Sequence, residues 1–100
     1  MRRVLVRYKV KPEAVVENEE LVRAVYEELQ RTQPPGMRYA TFQLDDGVSF
    51  VHIHSSDGDN PLNELASFKA FQQGIAERCD EAPKVSELRE IGNYRFDTEV

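Results

Sequence analysis

Hydrophobic and polar residues alternate along four stretches of the chain, and they recur at three- and four-residue spacing in two others. Alternation with period two is typical of a strand with one buried face, and the longer spacing is typical of a helix with one apolar side. The alternating stretches are residues 2–10, 38–44, 48–55 and 84–96, and the helical stretches follow the first and the third of them. The pattern therefore predicts the order βαββαβ.

The first helix is predicted by one apolar stripe, formed by Leu21, Val22, Val25, Tyr26 and Leu29. Two starting points are open. Pro12 is tolerated in a first helical turn, whereas Asn18 could be an N-cap that begins the helix later. The helix is expected to end at residues 34–36, where two prolines and a glycine follow one another.

The second helical region carries the stripe Leu65, Phe68, Phe71, Ile75 and Cys79. Asn60 is expected to cap it, with Pro61 in the first turn. A fresh cap at Ser67 would instead divide the region into two short helices with a break near Ala66. Cys79 is the single cysteine of the chain, so no intramolecular disulfide is possible, and it is expected to be a small buried hydrophobe rather than a reactive thiol.

The connections between the strands favour one antiparallel sheet. Asp46 and Gly47 lie between two alternating runs and predict a tight hairpin. Gly92 is expected to mark a bulge in the last strand. Right-handed crossovers place the first and third strands in the middle of the sheet, with both helices on one face. The sequence thus predicts a single α+β, ferredoxin-like domain over residues 1–100.

Alternation also divides the strands between two faces. The helix-covered face is expected to carry Val4, Val6, Tyr8, Ala40, Phe42, Val51 and Ile53. The open face is expected to carry Leu5, Arg7, Lys9, Tyr39, Thr41, Gln43, Phe50, His52 and His54, with part of Glu87, Arg89 and Ile91. Such a mixture is more apolar than a solvent face and more polar than the core of an interface. A homodimer that encloses a semi-polar cavity fits both features, and the alternative is a monomer with a wet outer face.

Composition excludes several classes of function. The chain has 100 residues, 40% hydrophobic and 31% charged, which is typical of a globular protein rather than a disordered one. Its net charge of -5 argues against a nucleic-acid partner, which would require a basic surface. The apolar runs are too short for a membrane span or a signal-peptide core, so a cytoplasmic location without a membrane partner is predicted.

The two histidines of the chain, His52 and His54, stand two positions apart in a predicted strand. Side chains at that spacing point the same way, roughly 6 to 7 Å apart. Two imidazoles could hold a transition metal only with a third ligand, for which Glu87, Asp57 or Asp59 would be the candidates. No third histidine is present, so no metal site is predicted.

A catalytic interpretation of the pair needs no metal. A neutral imidazole in a half-dry cavity can take a proton from a phenol or an enol, with His52 the first candidate and His54 the second. Arg7 would stabilise the resulting oxyanion. Further contacts to a substrate are expected from Tyr39, Thr41, Phe50 and Arg89. In the alternative without catalysis, the histidines bridge a dimer and Arg7 pairs with Glu87 across strands.

The strand and helix order, the length, the YKVKPE entry to the first helix (residues 8–13) and the SFKAF segment (residues 67–71) resemble the dimeric α/β-barrel superfamily. Within it, the chain resembles the antibiotic-biosynthesis-monooxygenase-like (ABM-like) proteins over residues 1–96.

The resemblance implies a homodimer whose sheets form a barrel, with a small-molecule pocket in each subunit. It also implies a cofactor-independent monooxygenase for a small aromatic or enolisable substrate. A non-catalytic binder and a structural or interaction dimer are the alternatives. The haem-degrading relatives use an Asn, a Trp and a His on a helix, and this chain contains no Trp.

Overall fold

The computed structural model describes residues 2–58 and 60–96. The elements are β1 (Arg2–Val10), a 3-10 turn (Pro12–Ala14), α1 (Val15–Thr32), β2 (Met37–Gln43), β3 (Ser49–Ser56), a second 3-10 turn (Pro61–Glu64), α2 (Ala66–Gln72), α3 (Ile75–Arg78) and β4 (Cys79–Leu88). The strands form one sheet in the order β2-β3-β1-β4, and all neighbouring strands are antiparallel. The predicted α+β order and the central position of β1 and β3 are confirmed.

The first helix begins near the earlier of its two predicted starting points. The chain passes through a 3-10 turn at Pro12 and enters α1 at Val15. Asn18 lies inside the helix and is fully buried, so it is not an N-cap. At the other end Gln33 adopts a left-handed conformation, with φ 45°, and its N–H donates to the carbonyl of Leu29 at 2.8 Å. This is the usual way in which a helix satisfies its last carbonyl groups.

The second helical region is divided, as one of the two alternatives predicted. The side chain of Asn60 accepts from the backbone two residues on and caps the 3-10 turn. The helix α2 starts at Ala66, and Ser67 donates both its N–H and its hydroxyl to Glu28 of α1 instead of capping. Gly74 then separates α2 from α3 with φ 77°, a conformation that glycine adopts without steric cost.

The last strand lies earlier in the chain than predicted. It runs from Cys79 to Leu88, not over residues 84–96, because β1 is its pairing partner and the register ends opposite Arg3. Residues 89–96 follow the last pair and belong to no strand of the sheet. The expected bulge at Gly92 is therefore wrong, and the register shifts lie instead near Lys9 of β1. Cys79 is the first residue of the strand, not the last of a helical stripe, and it packs against the core while partly buried.

The register of the sheet decides which side chains share a face, because residues directly opposite one another point the same way. Tyr8 is 1% exposed beneath the helices, which confirms the predicted facing of β1. Phe50 lies opposite Tyr8, and His52 lies opposite Val6 on one side and Thr41 on the other. These residues consequently lie under the helices too.

The predicted facing of β2 and β3 is therefore wrong. The helix-covered face carries Tyr39, Thr41, Gln43, Phe50, His52 and His54, whereas Ala40, Phe42, Val51 and Ile53 lie on the open face with Leu5, Arg7 and Lys9. Hydropathy favoured the aliphatic set for burial, because a histidine costs free energy when it is buried without hydrogen-bond partners. Here the partners come from other elements of the fold, which no pattern along a single strand reveals.

The core fills the space between the sheet and the helices. Its buried hydrophobic members are Tyr8, Val10, Ala14, Val22, Val25, Phe50, Leu62, Leu65 and Phe71. Aromatic rings from β1, β3 and α2 meet within it, since Tyr8 contacts both Phe50 and Phe71. No helix in the described part of the chain is both long and apolar enough to cross a membrane.

The facing of the sheet can be tested with two phenylalanines. Phe50 is 3% exposed and Phe42 is 52% exposed. Phe50→Ala should lower the free energy of unfolding by about 3–5 kcal/mol, because it leaves a cavity in the core. The matched control Phe42→Ala should cost less than about 1 kcal/mol. Urea unfolding at two protein concentrations measures both and separates any contribution from association. A larger loss for Phe42→Ala that does not depend on protein concentration would contradict the observed register.

Candidate functional site

A cavity of about 770 Å³ lies between the helix-covered face of the sheet and the layer formed by α2 and the second 3-10 turn. Its apolar lining includes Val4, Val6, Leu62, Phe68, Phe71 and Ile75, and its polar lining includes Arg2, Tyr39, His52, His54, Asn60 and Asn63. Small-molecule sites usually enclose about 300–1,000 Å³, with mostly apolar walls and a few polar groups. The cavity therefore suits a small ligand with an apolar body and a polar edge. The pocket expected on the open face is misplaced, because the histidines lie on this face instead.

His52 has protein partners at both ring nitrogens. Nε2 lies 2.7 Å from the hydroxyl of Tyr8, and Nδ1 lies 2.5 Å from the hydroxyl of Tyr39 and 3.2 Å from that of Thr41. The side chain is 5% exposed, and burial lowers the pKa of His52 to about 4. The imidazole is consequently neutral at pH 7 and is held by hydroxyl groups on both sides.

Aromatic rings surround this imidazole. Tyr8 stacks on Phe50 with centroids 5.6 Å apart, and the Phe71 ring lies 5.3 Å from the ring of His52. Such contacts contribute about 0.5–1.5 kcal/mol each beyond the burial of area. The rings that contact His52 directly are Tyr8, Tyr39 and Phe71, from β1, β2 and α2, so the position of the imidazole is determined by the packed fold rather than by its own strand.

Tyr39 presents an intact hydroxyl group at the cavity. Its ring stacks on Tyr26 of α1 at 5.2 Å, and the hydroxyl of Tyr26 lies 2.7 Å from that of Thr41. Burial raises the pKa of Tyr26 to about 12 and holds the pKa of Tyr39 well above its usual value. Both phenols are therefore protonated at neutral pH, and Tyr39 can act toward a ligand through O–H chemistry rather than as a phenolate.

The base of this network contains two residues that sequence analysis did not assign to the site. Asn18 of α1 donates from Nδ2 to the hydroxyl of Tyr8 at 2.9 Å. Arg78, which is 6% exposed, donates to Oδ1 of Asn18 at 3.4 Å and to the carbonyls of Phe71 and Gln73 at 2.7 and 3.1 Å. Oxygen acceptors thus surround the buried guanidinium.

A signal for Asn18 was present in the sequence. It precedes Val22 by four positions and Val25 by seven, so it belongs to the apolar stripe of α1. A polar residue in such a stripe needs a buried partner, and this requirement could have identified it. Arg78 had no comparable signal, because its partners are mostly backbone carbonyls.

His54 differs from His52 in having a ring nitrogen without a partner. Its Nε2 is buried and accepts or donates no hydrogen bond among the described residues, although the side chain lines the cavity. Burial, together with the nearby charge of Arg2, lowers the pKa of His54. A buried polar atom that lacks a partner costs about 1–3 kcal/mol, so a ligand group that reached it would gain a hydrogen bond there.

The structure separates the predicted cationic residues from the histidines. Arg7 is exposed on the open face, opposite Val51, and so lies on the other side of the sheet from His52. The expectation that these two share a face is wrong. Arg89 follows β4, is exposed and does not line the cavity. Glu87, the expected partner of Arg7, forms an exposed ion pair with Arg2 at 3.2 Å.

The expected walls fall into two groups. Tyr39 lines the cavity itself. Thr41 and Phe50 share its face of the sheet but lie behind the lining, where Thr41 contacts His52 and Phe50 stacks on Tyr8. The structure therefore assigns them to the support of the polar network, not to the surface of the cavity.

The candidate metal ligands do not form a cluster. Within residues 2–58 and 60–96, no three His, Cys, Asp or Glu side chains are grouped closely enough to hold a metal ion. Asp59, one of the ligands considered in the sequence, lies outside the described residues.

Comparison with known proteins supports the fold through structure and not through sequence. No protein-family model matches the chain, and no curated protein matches it. An antibiotic biosynthesis monooxygenase of known structure superposes with a TM-score of 0.74 at 21% identity, covering 92% of this chain and 100% of the other. Rv0793 from Mycobacterium tuberculosis gives a TM-score of 0.72 at 17% identity, with 92% and 96% covered.

A further similar structure is a mutant of SnoaB, a cofactor-independent oxygenase from Streptomyces nogalater. It superposes with a TM-score of 0.67 at 14% identity, covering 95% of this chain and 97% of the other. The chain therefore has the ABM-like, ferredoxin-like fold that its sequence predicted. At these identities the similarity establishes the fold alone, because one fold hosts many unrelated activities.

The buried neutral His52 predicts that acid destabilises the protein. Its pKa is about 4 when folded and 6.5 as the ordinary value, so the unfolded chain binds more protons between these pH values. The contribution of His52 to the free energy of unfolding should be almost fully present at pH 7. It should fall by about 2 kcal/mol from pH 7 to pH 5. His54 adds a change of the same sign, whereas Asp46, with its pKa lowered to about 2, contributes only at lower pH.

Urea unfolding at pH 7, 6 and 5 measures this loss. The matched variant His52→Gln keeps a polar side chain without a titrating ring, and it should lose most of the pH dependence. A wild-type protein that becomes more stable on acidification, or an unchanged slope in His52→Gln, would contradict the burial of a neutral imidazole.

Proposed function

We propose that the protein binds a small, largely planar molecule in the cavity between the sheet and α2. The apolar body of the ligand lies against Phe68 and Phe71, and its oxygen-bearing edge faces Tyr39 and His54. The observation that carries this proposal is a cavity that combines apolar walls with polar groups, among them the Tyr39 hydroxyl and the neutral His54 imidazole, whose Nε2 has no partner among the described residues. Arg2 lies at the same polar end and suits a ligand with an acidic substituent.

The reaction that this arrangement favours is cofactor-independent monooxygenation of an aromatic or enolisable substrate. His54 accepts a proton from the substrate carbon or phenol, and Tyr39 donates a hydrogen bond to the oxygen on which negative charge develops. The carbanion then gives its electrons to dioxygen, and a C–O bond forms. The peroxide takes up a proton and loses water, so that a CH₂ group and O₂ become a carbonyl group and H₂O without another reductant.

The two histidines exchange the roles that the sequence predicted for them. His52 was the first candidate for the proton acceptor, but both of its nitrogens already have protein partners. His54 therefore takes that role, and His52 positions Tyr39. Arg7 is replaced by the Tyr39 hydroxyl as the group that stabilises an oxyanion. Structural similarity to a cofactor-independent oxygenase supports the reaction only by analogy of fold.

A second candidate is binding without catalysis. Burial lowers the pKa of His54 and weakens it as a base, which favours a binder over an enzyme. The same cavity and the same class of ligand would serve such a protein. The two functions differ in one observable, the consumption of dioxygen.

An oxygen electrode distinguishes them, with anthrone as the probe of an enolisable tricyclic ketone. The wild-type protein should consume O₂ and form anthraquinone. His54→Gln should reduce that rate at least about 100-fold, because general bases contribute 10²–10⁴-fold, while anthrone still protects the protein against thermal unfolding.

Arg7→Gln is the control for the other face of the sheet and should keep the wild-type rate. Thermal protection without oxygen uptake by the wild type would identify a binder. A loss of activity in Arg7→Gln alone would restore the interpretation based on sequence.

We also propose that two chains associate through the open face to form a homodimeric α/β barrel in the cytoplasm. The apolar part of that face consists of Leu5, Ala40, Phe42, Val51 and Ile53. In a monomer Phe42 is exposed and the other four side chains are partly exposed, and neighbouring exposed apolar side chains are typical of an interaction surface. The ligand cavity lies on the other face, so each subunit would keep its own site.

Native mass spectrometry tests the dimer. The wild-type protein should appear at twice 11.5 kDa, and Leu5→Glu should appear as a monomer because a carboxylate would be buried at the centre of the interface. Val16→Glu is the control, since Val16 is 66% exposed on α1, away from the sheet. A dimer that survives Leu5→Glu would contradict association through this face.

A further inference from the structure

The polar network beneath the cavity runs through five side chains, from Arg78 through Asn18, Tyr8 and His52 to Tyr39. Each hydrogen bond in it has a direction, with one donor and one acceptor. Arg78 and Asn18 do not line the cavity, whereas Tyr39 does. The donor and acceptor roles at Arg78 and Asn18 can therefore determine whether Tyr39 donates or accepts a hydrogen bond at the cavity.

The direction is set at the Arg78 end. A guanidinium group can only donate, and its Nε lies 3.4 Å from Oδ1 of Asn18. Turning the amide of Asn18 around would place two donors against each other. The amide Nδ2 therefore faces Tyr8 and donates to its hydroxyl oxygen at 2.9 Å.

The next bond follows from the burial of Tyr8, which is 1% exposed. Its hydroxyl oxygen already accepts from Asn18, and its second partner is Nε2 of His52 at 2.7 Å. The hydroxyl hydrogen must go to that nitrogen, because otherwise a buried donor would have no acceptor. Nε2 of His52 is consequently an acceptor and carries no hydrogen.

A neutral imidazole has one N–H group, so in His52 it is on Nδ1. This group donates to the hydroxyl oxygen of Tyr39 at 2.5 Å. The hydroxyl hydrogen of Tyr39 is then directed away from His52. Thr41 does not accept that hydrogen. The partly buried hydroxyl of Tyr26 lies 2.7 Å from that of Thr41 and has no other partner among the described residues, so it donates to the Thr41 oxygen. The hydrogen of Thr41 is then directed to the oxygen of Tyr39, with which it also forms a hydrogen bond. The cavity remains as the place where the hydrogen of Tyr39 can be donated.

We propose that Asn18 and Arg78 are positioning residues that keep Tyr39 a hydrogen-bond donor, so that the cavity selects ligands with an acceptor oxygen, such as a ketone, an enolate or a phenolate. This inference rests on the proposed function, because it concerns the ligand of the same cavity. It assigns ligand preference to two residues that never touch the ligand.

Asn18→Asp should reverse the network with almost no change of shape. A carboxylate can only accept, so Tyr8 would donate to it and would in turn accept from Nε2 of His52. The ring hydrogen would move to Nε2, and Nδ1 would accept from Tyr39. The Tyr39 oxygen would then offer lone pairs to the cavity and favour a ligand with an N–H or O–H donor.

The first readout is the tautomer of His52, measured by ¹⁵N NMR of protein labelled at histidine. The His54→Gln background leaves a single imidazole to assign. The ring proton should be on Nδ1 in the wild-type network and on Nε2 after Asn18→Asp. Tyr39→Phe is the matched control, because it removes only the hydroxyl group at the cavity end of the hydrogen-bond network. The ring proton of His52 should then stay on Nδ1.

The second readout is the affinity for two rigid tricyclic probes of similar shape, 9-fluorenone with a carbonyl acceptor and carbazole with an N–H donor. The wild-type protein should prefer fluorenone by at least about tenfold, since a site built around a hydrogen bond rejects an analogue that cannot make it. Asn18→Asp should abolish or invert that preference, and Tyr39→Phe should abolish it.

The outcomes separate this inference from the proposed function. A wild-type His52 with its proton on Nε2, a charged imidazole, or an unchanged tautomer in Asn18→Asp would overturn the inference even if ligands bind. If Asn18→Asp does not fold, the wild-type tautomer and the Tyr39→Phe affinities still decide it. Expected tautomers combined with binding of neither probe would support the positioning role and count against the proposed function.

Discussion

The hydrogen bond between Tyr8 and His52 is the contact on which the rest of the site depends. It joins two residues that are 44 positions apart in the chain and buries both beneath the helices. An imidazole in that position would be costly without partners, and here hydroxyl groups at both nitrogens remove the cost. Because Asn18 continues the network into α1, the same bond links β1, β3 and the helix layer.

The cavity exists because its roof is built from short elements that are tied in place at a few points. Gly74 separates α2 from α3, and Arg78 at the end of α3 donates back to the carbonyls of Phe71 and Gln73. Ser67, at the start of α2, is bound to Glu28 of α1. These polar contacts keep the short helices in place above the sheet. The space between them and the strands can therefore remain open as a cavity.

The ABM-like fold and the polar network make separate contributions to function. The fold provides a sheet with one covered and one open face, and folds of this kind host unrelated activities. What the cavity can do to a ligand depends on which neutral polar groups on the covered face are free to contact it. His52 is committed to protein partners, whereas His54 and the hydroxyl of Tyr39 remain for a ligand. The two histidines differ in role because hydroxyl groups bind both ring nitrogens of His52, whereas Nε2 of His54 has no partner among the described residues.

The sequence by itself determined the order of the elements, the hairpin at Gly47 and the central position of β1 and β3, because these follow from local periodicity, turn chemistry and the handedness of crossovers. It also showed that His52 and His54 share a side of their strand. Alternation cannot tell which side faces the helices, since that depends on partners from distant parts of the chain. Only the tertiary structure therefore placed both histidines on the helix-covered face, separated Arg7 from them and ended β4 at Leu88, opposite Arg3 of β1.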